Sequence, residues 1–264
     1  MHVVVTGSTR GIGKALANKF LEMGDTVIIT SRSKDSVMRV VKEFGNKYSS
    51  DRVYGIQCDV TDSEQVDSLV NFAKGKLGTI DFWLNNAGTA GEKRALLLDL
   101  DPSEIKRVIE TNILGTLFCC RAVLKVMIAQ GSGHIFNMEG MGSDGMTRAK
   151  SLVYATSKSA IPMIKKTLLK ETKGIPVGIH DMKPGMVLTD LLMKDNPDVG
   201  TKKVYNILAE KPETVAEYLV PKIRTIKGTG KKISYLSKFG SFMRFLTAWK
   251  YKNKFFDNFG NPVL

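Results

Sequence analysis

Cysteine is scarce, and no paired framework of it exists. Cys58, Cys119 and Cys120 are the three in 264 residues, two of them adjacent, with no C-x-x-C. That excludes a disulfide scaffold and predicts a reducing compartment. Histidine is as rare: His2, His134 and His180 stand apart, with no H-x-x-x-H and no Cys/His cluster, so no zinc site is expected. Apolar residues never run unbroken long enough to predict a membrane span. The chain opens directly on the strand-like MHVVVTG, so no signal or transit peptide is expected within it. Acids are missing from one region altogether: Tyr218 to Phe256 carry ten Lys/Arg and no Asp or Glu. What is present, 43% hydrophobic and 25% charged residues at a net charge of +13, describes a folded chain and excludes a disordered or collagen-like one. One domain of this length buries about 70–75% of its unfolded surface and needs neither disulfide nor structural metal.

Short β-branched runs alternate with longer segments of helical period, which predicts βαβ units around a parallel sheet. Strands are expected at 2–6, 26–30, 53–57, 82–85, 133–138 and 177–182, with a further one at 232–236. Helices are expected at 11–23, 36–47, 63–76, 104–129 and 152–173. Local punctuation agrees. Gly24 follows the first helix where a left-handed residue ends it. Asp62 caps the helix begun by Ser63, with Gln65 at the capping-box position. Pro102 and Ser103 mark another helix start. The implied fold class is α/β: a single doubly wound, Rossmann-type domain with a central parallel sheet flanked by helices. It is expected over residues 1–236, with 237–264 as a basic, aromatic extension packed on the same domain.

The first strand runs into Thr6-Gly7-Ser8-Thr9-Arg10-Gly11-Ile12-Gly13, which opens a helix. A tight glycine turn at a helix N-terminus lets backbone N–H groups and the helix dipole meet a pyrophosphate. The pattern is TGxxxGxG rather than GxGxxG, and its place at the start of a βαβ unit gives it weight. A dinucleotide site selective for NAD carries Asp or Glu about 20 residues on, for the ribose 2′-hydroxyl. Here the second strand ends Thr30-Ser31-Arg32 without a carboxylate. Arg32, Arg10 and Lys34 are the candidates to meet a 2′-phosphate, so NADPH/NADP+ is the expected cofactor.

Tyr154 and Lys158, at i and i+4, project from one helix face. A phenol of pKa near 10 is a poor acid at neutral pH, and a nearby ammonium lowers it by stabilising phenolate. Tyr154 can then give a proton to a carbonyl oxygen, or take one from an alcohol.

Together these motifs resemble the short-chain dehydrogenase/reductase family over residues 1 to about 190. The matching motifs are TGxxxGxG at 6–13, Asp59-Val60, Asn85-Asn86-Ala87-Gly88, Asn112 in ETNILG, Tyr154-x-x-x-Lys158, and Pro184-Gly185 with Val187 and Thr189. The resemblance implies that Asp59 contacts adenine and that the NNAG segment steadies the central strand beside the cofactor. It also implies that the turn through Pro184, Gly185 and Thr189 meets the nicotinamide end. Lys158 would hold the nicotinamide ribose, and Asn112 would support a proton-relay water. Where the family carries a serine after the fifth strand this chain has Gly140, and Ser143 is the nearest hydroxyl. Either Ser143 shifts in to donate to the substrate oxygen, or it is a turn residue and another group does that work.

The segments NMEGMGSDG, PGMVLTDLL and ETVAEYLVPKIR are most similar to the chlorophyll b reductase subgroup of that family. That implies reduction of the 7-formyl group of chlorophyll b to hydroxymethyl. A 3-oxoacyl, steroid or quinone-like carbonyl is the alternative substrate, and a non-catalytic NADP(H)-binding scaffold the alternative class. Family resemblance also implies a homodimer or homotetramer. The stretch 239–256 interleaves Phe242, Phe245, Leu246, Trp249 and Phe256 with four cations. It reads either as an interfacial helix meeting a membrane surface or as aromatics packed on the core. No nucleic-acid motif accompanies the charge. The expected location is cytoplasmic, or plastid stroma or membrane surface.

Overall fold

The computed structural model describes residues 1–194 and 197–263. Seven strands form one parallel sheet: β1 (His2–Val5), β2 (Thr26–Ser31), β3 (Val53–Gln57), β4 (Phe82–Asn85), β5 (His134–Met138), β6 (Gly178–Lys183) and, closing the edge, β9 (Lys232–Ser234). Their order is β3-β2-β1-β4-β5-β6-β9. The direction of travel reverses between β1 and β4, and at such a switch point the carboxyl ends of the strands open a crevice. Every strand expected from the sequence forms, with ends moved by one or two residues.

Helices α1 (Gly11–Glu22) and α2 (Lys34–Lys47), with α9 (Pro212–Arg224), cover one face of the sheet. Helix α3 (Ser63–Leu77), the run 102–130, and α6 (Leu152–Glu171) cover the other. Each face has its own apolar core: Phe20, Ile29, Leu84 and Leu219 on the first, Ile28, Trp83, Val123 and Ile135 on the second. Asp62 caps α3 as the sequence predicts, its carboxylate accepting from Glu64 and Gln65 N–H.

Several features go beyond the sequence pattern, among them helix α9, which no expected helix covers. The helix expected at 104–129 begins at Pro102 and is three pieces: α4 (Pro102–Ile109), a π-helical turn over Glu110–Leu114, and α5 (Gly115–Gln130). The π turn contains Asn112, and such bulges mark functional sites. The run is also apolar enough to cross a bilayer by composition, with a mean hydropathy of 1.6, yet its Cys119, Val123 and Met127 are buried against the sheet. Between β6 and β9 the chain adds a small two-stranded ribbon, β7 (Met186–Val187) with β8 (Ala209–Glu210), and helices α7 (Asp190–Met193) and α8 (Val199–Leu208).

The C-terminal segment forms α10 (Lys238–Leu246) and a 3-10 turn over Ala248–Tyr251. The two expectations for it divide by residue. Phe256 is buried beside Tyr205 and Ala209, and Glu210 anchors the segment through Lys254 at 2.8 Å and Arg244 at 3.6 Å. Phe239, Phe242, Phe245, Leu246 and Trp249 lie exposed. Leu264, the last residue of that segment, lies outside the described residues.

Candidate active site

A cleft of about 1760 Å³ opens along the carboxyl ends of the strands. That exceeds the 300–1,000 Å³ of common ligand sites. One wall is the turn from β1 to α1: Gly7, Thr9, Arg10, Gly11, Ile12 and Gly13 line it. Gly7 and Gly11 take left-handed φ of +64° and +53°, and a Cβ on Gly13 would stand 2.3 Å from Gly7 O. Only glycine permits this close turn, which leaves the N-terminal amides of α1 facing the cleft. Asn86 braces it, its amide donating to Thr6 O at 2.8 Å and Gly7 O at 3.0 Å. Such a cradle fits a pyrophosphate. Ser8 is a correction to the sequence expectation. It is fully buried, its hydroxyl accepts from Thr30 N–H and its own N–H donates to Thr30 O, so it ties the turn to β2 and does not reach the cleft.

Beyond the turn, Ser31, Arg32, Asp59 and Val60 line the far end, joined by Arg39 from α2. Arg39 does not stand out in the sequence, and Lys34, which does, is absent from the lining. No acid terminates β2, and Arg10 has its ion pair with Asp190 at 3.7 Å, both largely exposed. Asp59 accepts from Thr61 N–H and hydroxyl at 3.0 and 2.8 Å, which fixes its carboxylate at the rim.

Ala87, Gly88, Pro184, Gly185, Val187 and Thr189 line the same cleft as Tyr154 and Lys158, with Ala87 and Thr189 packed against Gly7 and Gly11 of the turn. Lys158 is buried, and its ammonium donates to Met138 O at 3.0 Å. Burial brings it down to about 8, with the charge of Glu139 opposing. Burial pushes the Tyr154 phenol up to about 12, Arg94 pulling the other way. The expectation that Lys158 lowers the phenol is therefore not met in this geometry. Desolvation of the phenolate is the larger effect, and the nearby cation that acts on it is Arg94.

Asn112 is fully buried in the π turn, and both of its amide protons are used, to Thr89 O and Ser157 Oγ at 2.8 Å each. Its oxygen accepts from Thr89 N–H at 2.8 Å. It clamps the 87–89 loop to α6. Asn85, at the start of NNAG, joins β4 to β5 through Asn137 at 2.8 Å. Ser143 is likewise corrected: its hydroxyl lies 2.9 Å from Gly140 N, 2.8 Å from Gly140 O and 3.1 Å from Lys158 O, all backbone atoms of its own loop and of α6. It staples the loop and is not among the cleft-lining residues.

Gly140 explains why no serine stands here. A Cβ on Gly140 would lie 2.6 Å from Tyr154 Oη and 3.0 Å from Lys158 Cγ. Tyr154 thus occupies space a larger residue would need. Gly140→Ser is expected to push the phenol aside and cut turnover about 10²-fold, as misplacing a reacting group does. Steady-state kinetics on the folded variant check this, and turnover at or above the parent level would refute it. Besides Arg39, two further cleft groups escaped the sequence pattern: Arg94, in a loop without periodicity, and Glu139, beside the missing serine.

A parallel doubly wound sheet, a glycine cradle and a Tyr-Lys pair across one cleft define a dinucleotide-dependent oxidoreductase, and the chain belongs to the short chain dehydrogenase family, whose pattern matches residues 1–200. Its relatives include the probable chlorophyll(ide) b reductases NYC1, chloroplastic, of Oryza sativa subsp. japonica and Arabidopsis thaliana, 41% and 42% identical over 99% of this chain. This chain spans about half of their length, 55% and 56%. The chlorophyll(ide) b reductase NOL, chloroplastic, of Arabidopsis thaliana is 38% identical over 97% of this chain and 72% of its own. Among solved structures, ElxO with NADP bound superposes with a TM-score of 0.77 at 28% identity, covering 88% of this chain and 95% of that one. Nicotinamide cofactor binding goes with the family.

Proposed function

We propose that the protein is an NADPH-dependent carbonyl reductase acting on an apolar aldehyde, with the 7-formyl group of chlorophyll b as its substrate. The observation that carries this is that Tyr154 and Lys158 line one cleft with the glycine cradle, in a chain 38–42% identical to named chlorophyll(ide) b reductases. Reduced nicotinamide, when bound, supplies hydride for the carbonyl carbon. Tyr154 gives its proton to the oxygen, and the nearby Arg94 charge opposes the cost of the phenolate left behind. Arg10, Arg32 and Arg39 favour a 2′-phosphate over a bare ribose. Incubation with NADPH and chlorophyll b in detergent, followed by chromatography, is expected to yield the 7-hydroxymethyl product; binding of NADPH without that product would move the assignment to another carbonyl.

An apolar substrate dissolved in a bilayer calls for a surface that meets one. Phe239, Phe242 and Leu246, at i, i+3 and i+7 of α10, with Trp249 beyond, form an exposed stripe flanked by Lys238, Lys250 and Lys252. Leu236, Lys238 and Ser241 at its base line the cleft mouth. An anionic membrane face, such as a plastid membrane's stromal side, suits that pairing of apolar groups and cations. The two tryptophans separate cleanly, Trp83 at 0% and Trp249 at 70% exposure. Anionic phospholipid vesicles are therefore expected to shift tryptophan emission to the blue, through Trp249, and Trp249→Ser to abolish the shift. Neutral vesicles acting equally, or a Trp249-dependent dimer without vesicle binding, would refute the membrane assignment.

A further inference from the structure

A third apolar core stands apart from the two on the sheet. Tyr205, Ala209 and Phe256 are buried together, with Met186, Leu188 and Phe255 packed against them. Strand alternation sends Val187 into the first sheet core and its neighbours Met186 and Leu188 into this third one. All three also line the cleft. The ribbon that carries them has two residues in each strand, Met186–Val187 and Ala209–Glu210, too few to hold its place alone. Phe255 and Phe256 of the C-terminal segment therefore back a wall of the cleft.

Two side chains hold the segment there. Asn206 of α8, itself buried, accepts from the N–H groups of Phe255 and Phe256 at 2.8 and 2.9 Å and donates to Phe256 O at 2.7 Å. Glu210 of β8 serves both sides at once. Its backbone carbonyl accepts from Leu188 N–H at 2.9 Å, and Val187 is its register partner. Its carboxylate, 11% exposed, accepts from Lys254 Nζ at 2.8 and 2.9 Å and from the Tyr235 hydroxyl at 3.1 Å, with Arg244 of α10 at 3.6 Å. Tyr235 follows β9 and bonds Lys183 O at 2.9 Å, which ties the carboxylate to the sheet edge as well. Burial opposes the charge on Glu210, yet Lys254 holds its carboxyl below the usual range, so the anchor is ionised at neutral pH.

We propose that residues 238–263 are a working part of the cleft, and that Glu210 is the positioning residue through which they hold the wall at 184–189 in place. The proposal rests on the reading of that wall as the one that meets the nicotinamide end. Released from Glu210, the segment takes Phe255 and Phe256 with it, and the wall keeps only its short ribbon. The cofactor still binds, because the cradle for its pyrophosphate is braced separately, by Asn86 and by Ser8 with Thr30. Its nicotinamide end loses a fixed position against Tyr154, and a misplacement of about 1 Å costs up to about 10²-fold in rate.

Two variants cut the anchor from its two ends, Glu210→Gln and Lys254→Met. Each is expected to lower kcat for carbonyl reduction about tenfold with the KM for NADPH unchanged, while Lys254→Arg keeps most of the parent rate. Hydrogen exchange read amide by amide separates positioning from bulk stability. The amides of Phe255, Phe256 and, across the ribbon, Leu188 are expected to exchange about tenfold faster in both variants, with those of Thr6 and Ser8 at the cradle unchanged. Faster exchange at Phe255 and Phe256 alone, or at none of the three, identifies a surface anchor and overturns the proposal. So does equal acceleration at Thr6 and Ser8, which marks general destabilisation, or a parent rate in a variant whose Leu188 amide is released. A parent protein that reduces no carbonyl sinks the functional reading instead, and the exchange pattern still decides whether segment and wall are coupled.

Discussion

Tyr154→Phe is expected to lower carbonyl turnover by about 10²–10⁴-fold, the range that general acid catalysis supplies. The ring that packs beside Gly140 and Lys158 remains, so the fold is expected to hold. NADPH affinity is expected to change little, because the glycine cradle and Lys158 are untouched. The contrast between the two quantities is what makes the variant informative: a collapse of both would signal a damaged cleft, and a collapse of neither would exclude Tyr154 as the acid. Burial pushes the phenol up to about 12. A proton held that firmly leaves only when a stronger base appears, as the carbonyl oxygen becomes once hydride reaches its carbon. The site therefore needs no free phenolate to work as a reductase.

Arg32→Glu is expected to weaken NADPH binding about 100-fold while leaving NADH binding nearly unchanged. A hydrogen bond to a charged group contributes about 1.5–3 kcal/mol, and reversing the charge adds repulsion of the 2′-phosphate. Arg32 is exposed at the end of β2, so the substitution does not disturb the core. Calorimetric titration with each cofactor measures the split. Equal losses for both would mean that Arg32 does not face the 2′ position, and the preference would then rest on Arg10 and Arg39.

Much of the site is legible in the amino-acid order alone. The turn at 6–13 is readable because its glycines answer a backbone requirement: Gly13 has no room for a Cβ beside Gly7 O, whatever the remainder of the chain does. The Tyr154–Lys158 pair is readable because helical spacing alone places i and i+4 on one face. The strands are readable because a parallel sheet buried on both sides demands unbroken β-branched runs such as Val3-Val4-Val5 and Val27-Ile28-Ile29. What misled was the assumption that a polar residue near the cleft faces it. Ser8 and Ser143 both turn to backbone, because each lies where a buried N–H or C=O needs a partner.

Local period and glycine stereochemistry are enough to specify the doubly wound fold, the anion cradle and the acid pair, and both are properties of short stretches of chain. The direction in which Tyr154 and Lys158 are shifted, the clamp role of Asn112, and the meeting of Glu210 with Lys254 come only from the packed molecule. Those depend on how far a group is removed from water and on which element lies beside which. Residues 44 apart in sequence become neighbours only when the C-terminal segment folds back onto β8.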